Sequence, residues 1–264
     1  MKLYQIFVFL FFIAAGIGCK KQLTDVKPSI IATGSKLTDT ADNVSITPIV
    51  VNKTVKDTST KTIVVLGSST AAGWGASNYD ASWVARLNKQ LLIDSVKVKF
   101  INLSSPGYVT YQSMPTKSVI PAGRPQPDQS RNLTRAMDFN PTLIILNFPT
   151  NDIANNYSNE EILSNYAKIV EVMQGKGIEY IITGTQPRNF SSLEQRQRLK
   201  ELNELLKPIY NNHYNNYLEK LSSSTFTILD EYSAGDGTHL NNKGHNIIFE
   251  SFMSFPLLNK LLKN

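Results

Sequence analysis

From residue 61 onward the chain alternates two patterns of apolar positions. Residues 62–66 (TIVVL), 142–148 (TLIILNF), 178–183 and 225–229 are short, β-branched or apolar runs without helical spacing, and 96–103 is strand-like. Such runs predict buried strands of the kind found in parallel sheets. Between them, residues 80–93 place Trp83, Val84, Leu87, Leu91 and Leu92 on one helical stripe. Residues 131–138 predict a short helix, and 159–174 a longer one that Gly175 stops. Residues 193–221 predict helix with polar interruptions, kinked or divided at Pro208, and 242–262 a closing helix. Strands joined by crossover helices predict an α/β protein, a three-layer α/β/α sandwich around a five-stranded parallel sheet.

The first 60 residues read differently. Lys2 is followed by an apolar run, residues 6–17, that ends in small residues just before Cys19. This predicts a secretory signal over residues 1–19, too short to span a bilayer comfortably. It resembles a bacterial lipoprotein signal, in which Cys19 would become the lipidated first residue, although Gly16 stands where Leu is usual. Lys20 after the cysteine favours the outer membrane in that reading, so the expected location is the cell envelope, facing periplasm or surface. Residues 20–60 keep no period of 2 or 3.6, apart from a possible minor strand at 46–51, and predict a flexible tether. The folded domain is then residues 61–264.

Charge changes little. The net charge is +6, and the first 60 residues, with seven lysines against four acids, carry half of it. No basic stripe with interleaved aromatics is present, which argues against nucleic-acid binding. Cys19 is the only cysteine, so an intramolecular disulfide and a Cys-rich zinc site are both excluded.

The candidate chemistry lies in the turns that follow the strands. After the first run come Gly67, Ser68 and Ser69, then Gly73 and Gly75. A phosphate loop needs a Lys-Ser/Thr pair and a dinucleotide loop needs G-x-G-x-x-G; both are missing. The G-x-S-x-G elbow of α/β-hydrolases lacks its second glycine. A nucleophilic serine on another fold and a plain helix-capping turn remain. After the second run comes Asn102-Leu-Ser-Ser-Pro-Gly107, after the third Pro149-Thr-Asn151-Asp152, and after the fifth Asp236-Gly-Thr-His239. Set along one edge of a parallel sheet, these turns supply a nucleophile, a base, a carboxylate to orient it and oxyanion donors. The Asp236–His239 spacing can bring the carboxylate to Nδ1 and leave Nε2 for Ser69. His213 and His245 read as structural or exposed. Residues 113–130, with four prolines and Arg124, predict a long ordered loop of the kind that lines sites.

The four blocks, in this order over about 200 residues, resemble the SGNH hydrolases, also called GDSL esterases. The resemblance implies a flavodoxin-like fold with Ser69 as nucleophile and first oxyanion donor. It further implies Gly107 N–H and the Asn151 side chain as the other donors, and Asp236 with His239 as the relay. Ser68 replaces the Asp of G-D-S and Pro149 the Gly of G-x-N-D; neither change removes a reacting group. The expected activity is ester hydrolysis without metal or cofactor, on a small-molecule or glycan ester, with acetyl groups on carbohydrate as the leading substrate. Lysophospholipids or other lipid esters are the runner-up substrates. A non-catalytic, surface glycan-binding lipoprotein on the same fold is the alternative of another class.

Overall fold

The computed structural model describes residues 60–94 and 97–263. The expected signal, the lipidation site Cys19 and nearly all of the tether lie outside the described residues.

Five strands form one sheet: β1 (Lys61–Gly67), β2 (Val98–Asn102), β3 (Leu143–Asn147), β4 (Glu179–Thr183) and β5 (Tyr214–Asn215). The order is β2-β1-β3-β4-β5 and every neighbouring pair is parallel. The helices are α1 (Trp83–Ile93), α2 (Leu133–Met137), α3 (Thr150–Ala154), α4 (Asn159–Gly175), α5 (Leu193–Tyr210), α6 (Leu218–Leu221), α7 (Asn242–Met253) and α8 (Pro256–Lys263). Successive strand residues point to opposite faces, so the apolar runs feed two cores. Val64, Leu66, Ile144, Leu146 and Ile182 pack with Tyr166 and Ile169 of α4 and Leu199, Leu202 and Leu206 of α5. Ile63, Val65, Leu143, Ile145 and Ile181 pack with Trp83, Leu87 and Leu91 of α1 and Ile248 and Phe252 of α7. Trp83 stacks on Phe252 with ring centroids 4.7 Å apart. Each such fully buried large side chain contributes roughly 1.5–3 kcal/mol.

Serine and asparagine caps fix where the helices begin. Ser82, Ser158 and Ser192 each accept from the backbone N–H three residues on, and Asn241 accepts from Lys243 and Gly244.

The fifth strand and the last two helices depart from the sequence expectation. Residues 193–221 do not stay helical. Helix α5 runs through Pro208 but ends two residues later, Asn211 takes φ +39°, and the chain enters β5. This strand makes only two ladder pairs, Ile182 with Tyr214 and Thr183 with Asn215, too short for an alternating pattern to register. Residues 225–229, expected as the fifth strand, instead fold back on α6 in an antiparallel bridge between Ser222 and Ile228. The closing helix is likewise two, because Pro256 has no N–H with which to continue α7 and instead starts α8.

The chain leaves β1 toward β2 on one side and returns to β3 on the other. The C-terminal ends of β1 and β3 therefore flank the point where strand order reverses, the usual crevice of such sheets.

Candidate active site

Gly67 ends β1 where no side chain fits: a Cβ there would lie 2.8 Å from Ala71 Cβ and 3.0 Å from Ser104 Oγ. The following turn is closed by Trp74 N–H donating to Ser69 O at 2.9 Å and by Ala72 N–H donating to Ser68 O at 3.0 Å. Ser69 is thereby held, nearly buried, at the mouth of the crevice. Its Oγ lies 3.0 Å from His239 Nε2, and His239 Nδ1 lies 2.6 Å from Asp236 Oδ2. The other carboxylate oxygen, Oδ1, accepts from the Thr238 and His239 N–H groups at 2.9 and 2.8 Å. Partial burial pushes the Asp236 carboxyl up, but the His239 ring and the two N–H donors outweigh it and bring it down to about 2. Asp236 is therefore a carboxylate across the working range, able to fix one imidazole tautomer and to stabilise the imidazolium.

The oxyanion candidates arrive from two other strand ends. Gly107, at φ +79°, sits in the turn after β2, which Ser105 N–H ties to Gly67 O at 3.1 Å. Among the described residues, neither the Ser69 nor the Gly107 N–H donates to a protein acceptor. Asn151 lies in the first turn of α3. One N–H of its amide donates to Tyr108 O at 3.1 Å, and its Oδ1 accepts from Arg188 Nη1 at 3.1 Å. Accepting from a guanidinium fixes which end of the amide is the donor and leaves one Nδ2 hydrogen for a ligand.

Buried polar groups lock these turns together. Asp152, fully buried, accepts from the Thr110 N–H at 3.0 Å and from the Thr110 hydroxyl at 2.5 Å, which pins α3 to the chain just past Gly107. Burial raises its carboxyl to about 7 against those hydrogen bonds. Gln186, after β4, accepts from the Thr70 hydroxyl at 2.6 Å and donates to Thr238 O at 3.1 Å, joining the serine turn to the histidine loop. His245, buried in α7, donates through Nε2 to Trp74 O at 2.9 Å and accepts from Trp83 N–H at Nδ1. Burial first, then nearby positive charge, brings its imidazole down to about 4, against the pull of the Trp74 carbonyl. It is a neutral structural tie.

Ser69, Gly107, Asn151 and His239 thus border one cleft of about 190 Å³, and Asp236 backs His239. Ser68, with Asn147 and Tyr217, lines a smaller adjoining cavity that shares Ser69, Asn151, Arg188 and Thr238 with the cleft. His213 is remote, beside Glu179 at 3.3 Å and stacked on Tyr180. The loop 113–130 does not reach the cleft. Its Asp128 accepts from Tyr108, and its Arg124 pairs with Glu161 at 2.5 Å over the Tyr157 ring, so it braces the Gly107 turn from behind.

Four contributors were not foreseen from sequence. Gln186 and Arg188 follow β4, the strand end left unread. Trp74, 54 % exposed with its ring 5.6 Å from the His239 ring, borders the cleft. Thr238 contributes its backbone carbonyl.

The GDSL-like lipase/acylhydrolase family model matches residues 65–247. No curated protein matches the chain. Solved structures share the fold at low identity. A GDSL-like lipase from Bacteroides thetaiotaomicron is 18% identical, with TM-score 0.55, covering 76% of this chain and 89% of that one. A psychrotrophic esterase from Pseudoalteromonas sp., in a structure inhibited by monoethylphosphonate, is 16% identical, with TM-score 0.55 and coverage of 77% and 100%. A lipase from a goat rumen metagenome is 15% identical, with TM-score 0.58 and coverage of 75% and 98%.

Proposed function

The chain belongs to the GDSL-like lipase/acylhydrolase family, and from that premise we propose that it is a serine ester hydrolase that removes small acyl groups, acetyl foremost, from carbohydrate esters. The observation that carries the serine mechanism is the unbroken relay from Ser69 Oγ through His239 to Asp236, at 3.0 and 2.6 Å. His239 Nε2 takes the Ser69 proton as Oγ attacks the ester carbonyl carbon. The carbonyl oxygen, now negative, accepts from Ser69 N–H, Gly107 N–H and Asn151 Nδ2. Collapse breaks the C–O bond to the alcohol, which leaves with the proton returned by His239. Water, deprotonated by the same imidazole, then releases the acid from Ser69.

Size supports the small acyl group. About 190 Å³ is less than the roughly 300–1,000 Å³ of sites that enclose drug-sized ligands. Exposed Trp74 beside the catalytic imidazole offers a flat apolar face on which a sugar ring can lie. Lipidation of Cys19 would hold the enzyme in the cell envelope, where esterified glycans are met.

A fluorophosphonate probe on the full chain, followed by 4-nitrophenyl esters from acetyl to long chain and acetylated xylan, tests this. The expectation is covalent labelling at Ser69, turnover that falls with chain length, and acetate released from xylan. No labelling would remove the serine mechanism. Preference for long chains would remove the small-acyl assignment.

A further inference from the structure

Among the residues lining the cleft, Arg188 is the only Lys, Arg, Asp or Glu. It lies five residues past the end of β4, above the Phe190 ring at 5.1 Å. Its one side-chain hydrogen bond among the described residues is Nη1–H to Asn151 Oδ1, and no carboxylate is in contact with it there. The other arginines differ. Arg124 and Arg135 pair with Glu161 and Asp138, while Arg86, Arg131, Arg196 and Arg198 are tied to backbone carbonyls. A guanidinium carries five N–H groups in a planar fork, so four of those of Arg188 have no protein acceptor among the described residues. Its charge is also partly dehydrated, and that burial depresses its pKa against the opposing pull of the Asp236 carboxylate. A half-buried cation with no carboxylate in contact, and only the Asp236 charge acting on it, is costly, and a bound anion offsets the cost.

We infer that Arg188 is the subsite for a carboxylate on the substrate, so that the preferred ester is an O-acyl sugar acid whose ring rests on Trp74. This rests on the ester-hydrolase reading and names its substrate class. A carboxylate fits better than a phosphate dianion, because the anion would lie close to Asn151, where the oxyanion develops, and the smaller charge repels it less. The competing role is orientation of Asn151 alone, which would affect acidic and neutral esters alike.

Acetate release is measured from three substrates that share one acetyl position: an acetylated methyl glucuronoside, its methyl ester and the corresponding glucoside. An acetylated glucoside 6-phosphate is the fourth. The wild-type chain should prefer the glucuronoside by roughly 10-fold or more in kcat/KM, chiefly through KM, and 0.5 M NaCl should shrink that preference. Arg188→Gln should bring the acidic-to-neutral ratio to about 1, whatever it does to the common rate, and Arg188→Glu should invert it. An unchanged ratio in Arg188→Gln overturns the inference in favour of orientation alone, and preference for the phosphate overturns the carboxylate. A second arm is independent of turnover: calorimetric titration of Ser69→Ala with methyl glucuronoside and methyl glucoside. Equal affinity for the two overturns the inference even if the esters are hydrolysed. Absent turnover and absent labelling of Ser69 would sink the hydrolase reading, while tighter binding of the glucuronoside would still support Arg188 as the carboxylate subsite.

Discussion

Gly75 is the position at which a single methyl group should separate the relay from the nucleophile. Its φ of +87° is the left-handed region, and an added Cβ would lie 2.3 Å from Leu240 O and 2.7 Å from His239 Cβ. The turn cannot retreat, because Trp74 N–H is bound to Ser69 O and Trp74 O to His245. The His239 loop must therefore give way, by several tenths of an ångström, and the 3.0 Å contact with Ser69 lengthens. A misplacement of about 1 Å can cost roughly 100-fold, so this one should cost on the order of 10- to 100-fold in kcat. For stability, left-handed alanine costs roughly 1 kcal/mol and overpacking roughly 1–3 more. At about 2–4 °C per kcal/mol for a domain of this size, Tm should fall by roughly 5–15 °C. Gly177→Ala is the control. Its φ of +66° carries the same backbone strain, but no atom lies within 4 Å of the added Cβ and the site is far away, at the end of α4. It should lose only a few degrees and keep kcat. Differential scanning calorimetry and initial rates on a small 4-nitrophenyl ester read both quantities. Wild-type kcat in Gly75→Ala, or an equal kcat loss in Gly177→Ala, would refute the reasoning.

Ser69→Ala should lose roughly 3 to 6 orders of magnitude in turnover and Ser68→Ala far less; the reverse result would move the nucleophile to Ser68. Asp236→Asn should keep the fold and lose up to about 10⁴-fold in kcat, because Nδ1–H loses its anionic partner; a rate within a few-fold of wild type would exclude the relay. The same carboxyl, held down to about 2 in the fold against an ordinary 3.8, adds stability that is full above about pH 4 and lost as pH falls through 2. Chemical denaturation of wild type and Asp236→Asn from pH 6 to 2 should therefore show a gap that closes only at the acid end, and a gap independent of pH would contradict it. Cys19→Ser should release the protein from membrane fractions and leave hydrolysis of soluble esters unchanged, and a chain that stayed with the membrane would remove the lipid anchor.

The legible part of this protein is the part encoded locally. The central strands are continuous apolar runs because both of their faces are covered, so they stand out from the helical stripes. The turn after each of the first three strands could then be read for chemistry. Asp236 and His239 were legible for a similar reason: three residues apart, their geometry is nearly a property of the loop itself. The edge strand β5 was hidden, since two ladder pairs impose no period, and residues 225–229, although β-branched and apolar, bridge to Ser222 and stay out of the sheet.

What was not legible is the holding of His239 against a serine 170 positions away. That loop does not emerge from a sheet strand, so no strand end aims it. Asn189 N–H binds Gly237 O at 2.8 Å, Gln186 spans from Thr70 to Thr238, His245 fixes the carbonyl of Trp74, and bare Gly75 lets the backbone at Leu240 pass. Each of these residues is a glutamine, asparagine, histidine or glycine with no periodic signature, and each acts through contacts distant in sequence. Two of them, with Arg188, lie in the stretch after β4, a strand end that carries no reacting group. The stretch after β4 offers no candidate nucleophile, base or oxyanion donor, yet it fastens the serine turn to the histidine loop and, through Arg188, charges the cleft they enclose.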